Sequence, residues 1–142
     1  MTTAETLRRA FAILACDELA AFVALSDALR GLVVRCAVDG EVFTVLGRAQ
    51  LIVRRGPIAR ADAHVVASRA AILDLIDGRL TVLDAVLARR LTLVADIGHL
   101  VRLSRAQRAF AEGAARTRQM RALLAAYRDG TDRRVQKRRL AM

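Results

Sequence analysis

The chain has no tryptophan, one proline, one tyrosine and four phenylalanines. A core this poor in aromatics must be built from Leu, Val, Ile and Ala, which carry most of the 55% hydrophobic fraction. Cys16 and Cys36 are too few and too far apart for a disulfide framework or a cysteine-rich zinc site, so they read as free thiols of a reducing cytoplasm. The two histidines are equally unpromising. His64 alternates with Asp62 on one strand face with no third ligand nearby, and His99 falls in the first turn after Asp96. Ser26 and Ser104 sit in no nucleophile motif, and the eight glycines are scattered at turns rather than gathered in a phosphate loop. No apolar run reaches the ~18 residues of a membrane span. Arg8 and Arg9, then Asp17 and Glu18, interrupt the N-terminal pattern that a signal peptide would need, and the final RRLAM is no peroxisomal tripeptide. The expectation is a chain with no catalytic residue, no metal and no cofactor.

What remains is length, greasiness and charge. A chain of 142 residues makes one domain, and at that size about 68–70% of the unfolded surface is buried. The net charge of +10 is unevenly placed. Residues 1–101 balance 12 arginines against 11 acids, whereas residues 102–142 carry 12 Arg or Lys against 3 acids. Such asymmetry suits an acidic partner surface. The boundary is therefore set at 1–128 for the domain and 129–142 for a basic mobile tail without a sustained apolar face.

Thr2 and Glu5 have capping-box spacing. Leu7, Phe11, Leu14, Phe22, Leu25 and Leu29 then recur at helical intervals up to Gly31, as one long helix or two with a break near Asp17. Residues 32–38, 42–46 and 49–55 read as an antiparallel meander, with Asp39-Gly40 as a type I′ turn and Gly56-Pro57 as the stop. Residues 63–67 and 91–95 are two more strands. Ser68, Thr81 and Asp96 are spaced as caps of the helices 69–77, 82–88 and 97 onward, with a break near Gly113. A last helix carries Met120, Leu123, Leu124 and Tyr127 at i, i+3, i+4 and i+7. The strands are apolar on both faces, whereas a sheet with one wet face alternates. Either helices cover both faces, or one face lines a cavity or an interface.

The stretch Gly78 to Leu103, GRLTVLDAVLARRLTLVADIGHLVRL, resembles the sterol carrier protein (type two) family of lipid-binding domains. Gly78, Arg79, Leu80, Ala85, Arg90, Leu91, Leu93, Asp96 and Gly98 fall in register with its pattern without a gap, and the element order fits over roughly residues 5–115. Upstream, Ala61-Asp62 and Leu73 and Leu75 also fit. The departures are Val86 and Leu87 where aromatics often end the short helix, and Arg89 and Ala95 where glycine is common. The resemblance implies an α+β fold, a five-stranded mixed sheet covered by helices, with an apolar tunnel between them. It implies non-catalytic binding, transfer or presentation of a sterol, fatty acyl chain, phospholipid or isoprenoid-quinone intermediate.

On that footing the candidate lining is Phe43, Val45, Ile52, Leu75, Ile76, Leu83, Val86, Leu87, Leu93, Leu103 and Phe110, with ordinary core packing as the competing reading. Ligand preference is expected to be set at Val86, Leu87, Arg89 and Ala95. Arg102, Arg105, Arg108, Arg116, Arg118 and Arg121 are the candidate contacts to an anionic surface, for which a membrane suits a lipid carrier. The expected location is the cytoplasm, at the periphery of a membrane, with a partner enzyme or a second copy as further partners. Two other functions compete. One is a protein-interaction or dimerisation scaffold that uses the Met120–Tyr127 stripe. The other is nucleic-acid binding by the basic tail, which lacks an aromatic stacking platform.

Overall fold

The computed structural model describes residues 1–58 and 60–141. Its elements, in chain order, are α1 (Thr3–Asp17), α2 (Leu19–Leu29), β1 (Val33–Val38), β2 (Glu41–Gly47), β3 (Leu51–Arg55), β4 (Ala63–Ala67), α3 (Arg69–Ile76), α4 (Val82–Leu87), β5 (Leu91–Val94), α5 (Ile97–Ala114) and α6 (Arg118–Ala141). The α+β class and the mixed five-stranded sheet are as the sequence predicts. The strand order is β3-β2-β1-β4-β5, with β1 and β4 parallel and every other pair antiparallel.

Local chemistry explains most boundaries. The capping box forms: Glu5 N donates to Thr2 Oγ1 at 3.1 Å, and Thr2 N donates to Glu5 Oε2 at 3.4 Å. The long N-terminal periodicity resolves as two helices, with Glu18 leaving helical geometry at ψ 68°. Asp39 and Gly40 both take positive φ, 48° and 85°, as a type I′ hairpin needs. Ser68, Thr81 and Asp96 each accept a backbone N–H from three residues ahead. Glu41, one residue past the hairpin turn, accepts from Thr3 N and Ala4 N at 2.8 and 2.9 Å. This carboxylate ties the start of α1 to the end of the sheet and complements the helix dipole.

The two-sided apolar strands have a specific resolution. One face, carrying Val34, Cys36, Val38, Phe43, Val45 and Val65, looks toward the helices. The other face is covered only in part, by the connection between β3 and β4. Thr44 Oγ1 donates to Gly56 O at 2.9 Å, and the Arg35 guanidinium donates to Ile58 O. Beyond that cover, Val42, Val66 and Val94 are exposed at 39%, 53% and 64%.

The expected tail is a correction. Residues 129–141 continue α6, and Thr131 is buried; Met142, the tail's last residue, lies outside the described residues. Helix formers dominate the segment, Asp129 precedes Arg133 by four residues, and Arg138 and Arg139 suit the negative end of the dipole. The scaffold reading is corrected too. Met120, Leu123, Leu124 and Tyr127 are all buried within the chain's own fold, where α6 packs on α1 and α3, so this stripe is no open docking face. No helix among the described residues is long and apolar enough to cross a membrane.

Candidate functional site

Between the sheet and helices α1, α2, α3, α4 and α5 lies a cavity of about 190 Å³. Its walls are hydrocarbon except at Thr3, Cys36 and Gln107. These heteroatom groups are already engaged, the Cys36 thiol by a long contact of 4.0 Å to Val34 O. Thr3 Oγ1 is 2.8 Å from the Tyr127 hydroxyl, and Gln107 Nε2 donates to Leu75 O at 2.7 Å and Leu80 O at 3.2 Å. The third, the Cys36 thiol, is pushed up to about 12 by burial. A space lined this way offers water few partners and suits an apolar guest.

Seven candidate lining residues meet in this cavity: Phe43 and Val45 from β2, Leu75 and Ile76 from α3, Leu93 from β5, and Leu103 and Phe110 from α5. Phe11 of α1 and Phe110 meet edge to face across the helical layer, with centroids 6.2 Å apart. Four candidates do not belong. Ile52 pairs with Leu46 and therefore points to the opposite sheet face. Leu83 and Leu87, one helical turn apart, look outward at 53% and 73% exposure. Val86 packs instead with the small cluster around Ala85 and Leu91. The four positions expected to set ligand preference are likewise absent from the lining: Arg89 is exposed and Ala95 packs against the main core.

Further lining residues carry a signal that is present in the sequence. Val34, Cys36 and Val38 share the alternating face that meets Phe43 and Val45. Leu7, Phe11, Leu25 and Leu29 belong to the helical recurrence of α1 and α2. What the sequence withholds is the register that aims both sets at one space.

The basic candidates divide by what they touch. Arg102 Nε donates to Ala28 O at 3.0 Å and its guanidinium also reaches Arg30 O, so it caps the end of α2. Arg116 lies 4.0 Å from Glu18. Arg105, Arg108, Arg118 and Arg121 are exposed and form no ion pair among the described residues.

Solved structures share the fold. The UbiJ-SCP2 ubiquinone synthesis protein matches with a TM-score of 0.52 at 18% identity, over 63% of this chain and 73% of that one. The sterol carrier protein domain 2 of Helicoverpa armigera matches at 0.55 and 19%, over 70% and 80%. The chain has the sterol carrier protein 2 fold. Palmitated SCP2L2 from Aedes aegypti is another example, with a TM-score of 0.53 at 22% identity, over 75% of this chain and 95% of that one. Neither a family model nor a curated protein sequence matches the chain. Within the sterol carrier protein 2 fold, the cavity here occupies the space between sheet and helices, and no group of three or more potential metal ligands occurs among the described residues.

Proposed function

We propose that the chain binds the apolar chain of a lipid in the sheet–helix cavity and carries or presents it, without transforming it. The observation that carries this reading is the cavity itself. It is lined by hydrocarbon, and the Thr3 hydroxyl and Gln107 Nε2 in its wall already have protein partners. Each methylene moved from water into such a space contributes about 0.8 kcal/mol, so an acyl or prenyl chain needs no polar contact to bind. The shared fold with sterol carrier protein 2 domains, one of them palmitated, supports the same reading.

The test is direct. Solvent extraction of the purified protein followed by mass spectrometry is expected to release a lipid, and a fluorescent fatty-acid or prenyl probe is expected to bind the emptied protein. Ala106 lines the cavity at 5% exposure. Ala106→Phe fills the space, and is expected to keep the fold by circular dichroism while weakening probe binding about tenfold or more, the equivalent of roughly two methylenes of lost burial. No extracted lipid together with no probe binding would sink the proposal.

A further inference from the structure

The cavity has a neighbour. A second cleft of about 320 Å³ lies where the turn after α3 meets α5 and α6, and Ile76 lines both spaces. On the cavity side Ile76 faces hydrocarbon. On the cleft side it stands beside Asp77, Arg79, Arg121 and Arg128, over a floor that includes Ala114 and Leu124. Asp77 pairs with Arg128. Arg79 and Arg121 pair with no carboxylate among the described residues, so the cleft carries two formal positive charges in excess.

The cavity is only slightly larger than the roughly 150 Å³ space that an engineered apolar cavity offers benzene. It takes part of a long chain, not a whole amphiphile. Its walls also repel a polar end, because burying a head group there without partners costs several kcal/mol. A chain seated in the cavity therefore has to project its head elsewhere. On the cleft side of Ile76, which lines both spaces, stand two guanidinium groups, whose planar forks match carboxylate and phosphate oxygens.

We propose that this cleft is the head-group site of an anionic single-chain amphiphile, a fatty carboxylate or an alkyl or prenyl phosphate, with Ile76 as the barrier between chain and head. The assignment rests on the lipid-binding reading above and names its ligand class.

The test compares 1-decanol, decyl phosphate and inorganic phosphate on the full chain, by calorimetry and thermal shift, for the parent and for Arg79→Gln combined with Arg121→Gln. Both arginines are exposed, so the double variant is expected to keep the parent's circular dichroism. The parent is expected to bind decyl phosphate about tenfold more tightly than decanol, as charge-assisted hydrogen bonds of this type would give. In the double variant that preference is expected to shrink to about twofold, and inorganic phosphate is expected to bind the parent far more weakly than decyl phosphate. Equal binding of decanol and decyl phosphate by the parent, or an undiminished preference in the double variant, overturns the head-group site while leaving the cavity reading intact. Inorganic phosphate binding as tightly as decyl phosphate overturns it in favour of a free-anion site. If neither ten-carbon ligand binds, the lipid-binding reading falls and the head-group site falls with it.

Discussion

Arg89 holds a left-handed backbone, φ 58°, between α4 and β5. A non-glycine residue there costs about 1 kcal/mol or more, and its side chain is exposed and contributes no described hydrogen bond. Arg89→Gly is expected to raise stability by up to about 1 kcal/mol in denaturant titration, with cavity binding unchanged, since Arg89 does not line it. What distinguishes this position is thus backbone strain. Cys36 is the opposite kind of residue, a group whose surroundings decide its chemistry. Its thiol sits in the cavity wall with its pKa raised to about 12 by burial, against an ordinary value of 9.0. Folding therefore favours the protonated form. The associated stability is fully present below about pH 9 and declines as pH rises from there toward 12. Cys36→Ala is expected to flatten that alkaline decline relative to the parent. At pH 8 iodoacetamide is expected to label exposed Cys16 and to spare Cys36 until the protein is unfolded.

At the scale of elements, α6 shows what the sequence concealed. Residues 129–141 have no apolar stripe of their own, so periodicity alone marks them as tail. Their anchor is remote: Arg69 of α3, 1% exposed. Its guanidinium donates to Thr131 Oγ1 at 3.0 Å, Met1 O at 3.2 Å and Tyr127 O at 3.3 Å, and stacks 4.0 Å over the Tyr127 ring. Burial lowers its pKa, and no carboxylate pairs with it among the described residues. Nothing in the sequence around a lone arginine at the start of a helix announces such a role. Arg69→Ala is expected to cost about 3 kcal/mol, because buried acceptors lose a charged donor. Hydrogen exchange is expected to show lost protection concentrated in residues 127–141, with the amides of β1 and β2 retained. Helix α4 carries the complementary lesson. Its six residues are apolar on every side but one, so periodicity cannot tell Val82 and Ala85, which face inward, from Leu83 and Leu87, which face out. The strands were more legible, because the turn chemistry at Asp39-Gly40 and the caps at Ser68, Thr81 and Asp96 fix where each element begins and ends.

Across the whole molecule, charge and cavity divide the chain between them. The cavity is built from α1 through α5, whereas most of the excess charge lies beyond residue 101, on α5 and α6. Arg105, Arg108 and Arg118 are exposed and have no described acidic partner, so their field acts outward. We propose that these exposed arginines meet an anionic lipid surface, from which a cargo chain is taken or to which it is returned. Each arginine near such a surface contributes about 1 kcal/mol, so three of them change partitioning by roughly a hundredfold. The full chain is expected to sediment with vesicles of phosphatidylserine and phosphatidylcholine but not with phosphatidylcholine alone. Raising salt from about 0.1 to 1 M shortens the screening length from about 10 to 3 Å and is expected to release it. Replacing Arg105, Arg108 and Arg118 together by Gln is expected to abolish sedimentation while leaving decanol binding intact, since none of the three lines the cavity. Sedimentation that persists in that triple variant would move the membrane-facing surface elsewhere, with the exposed charges at the end of α6 as the next candidates to replace.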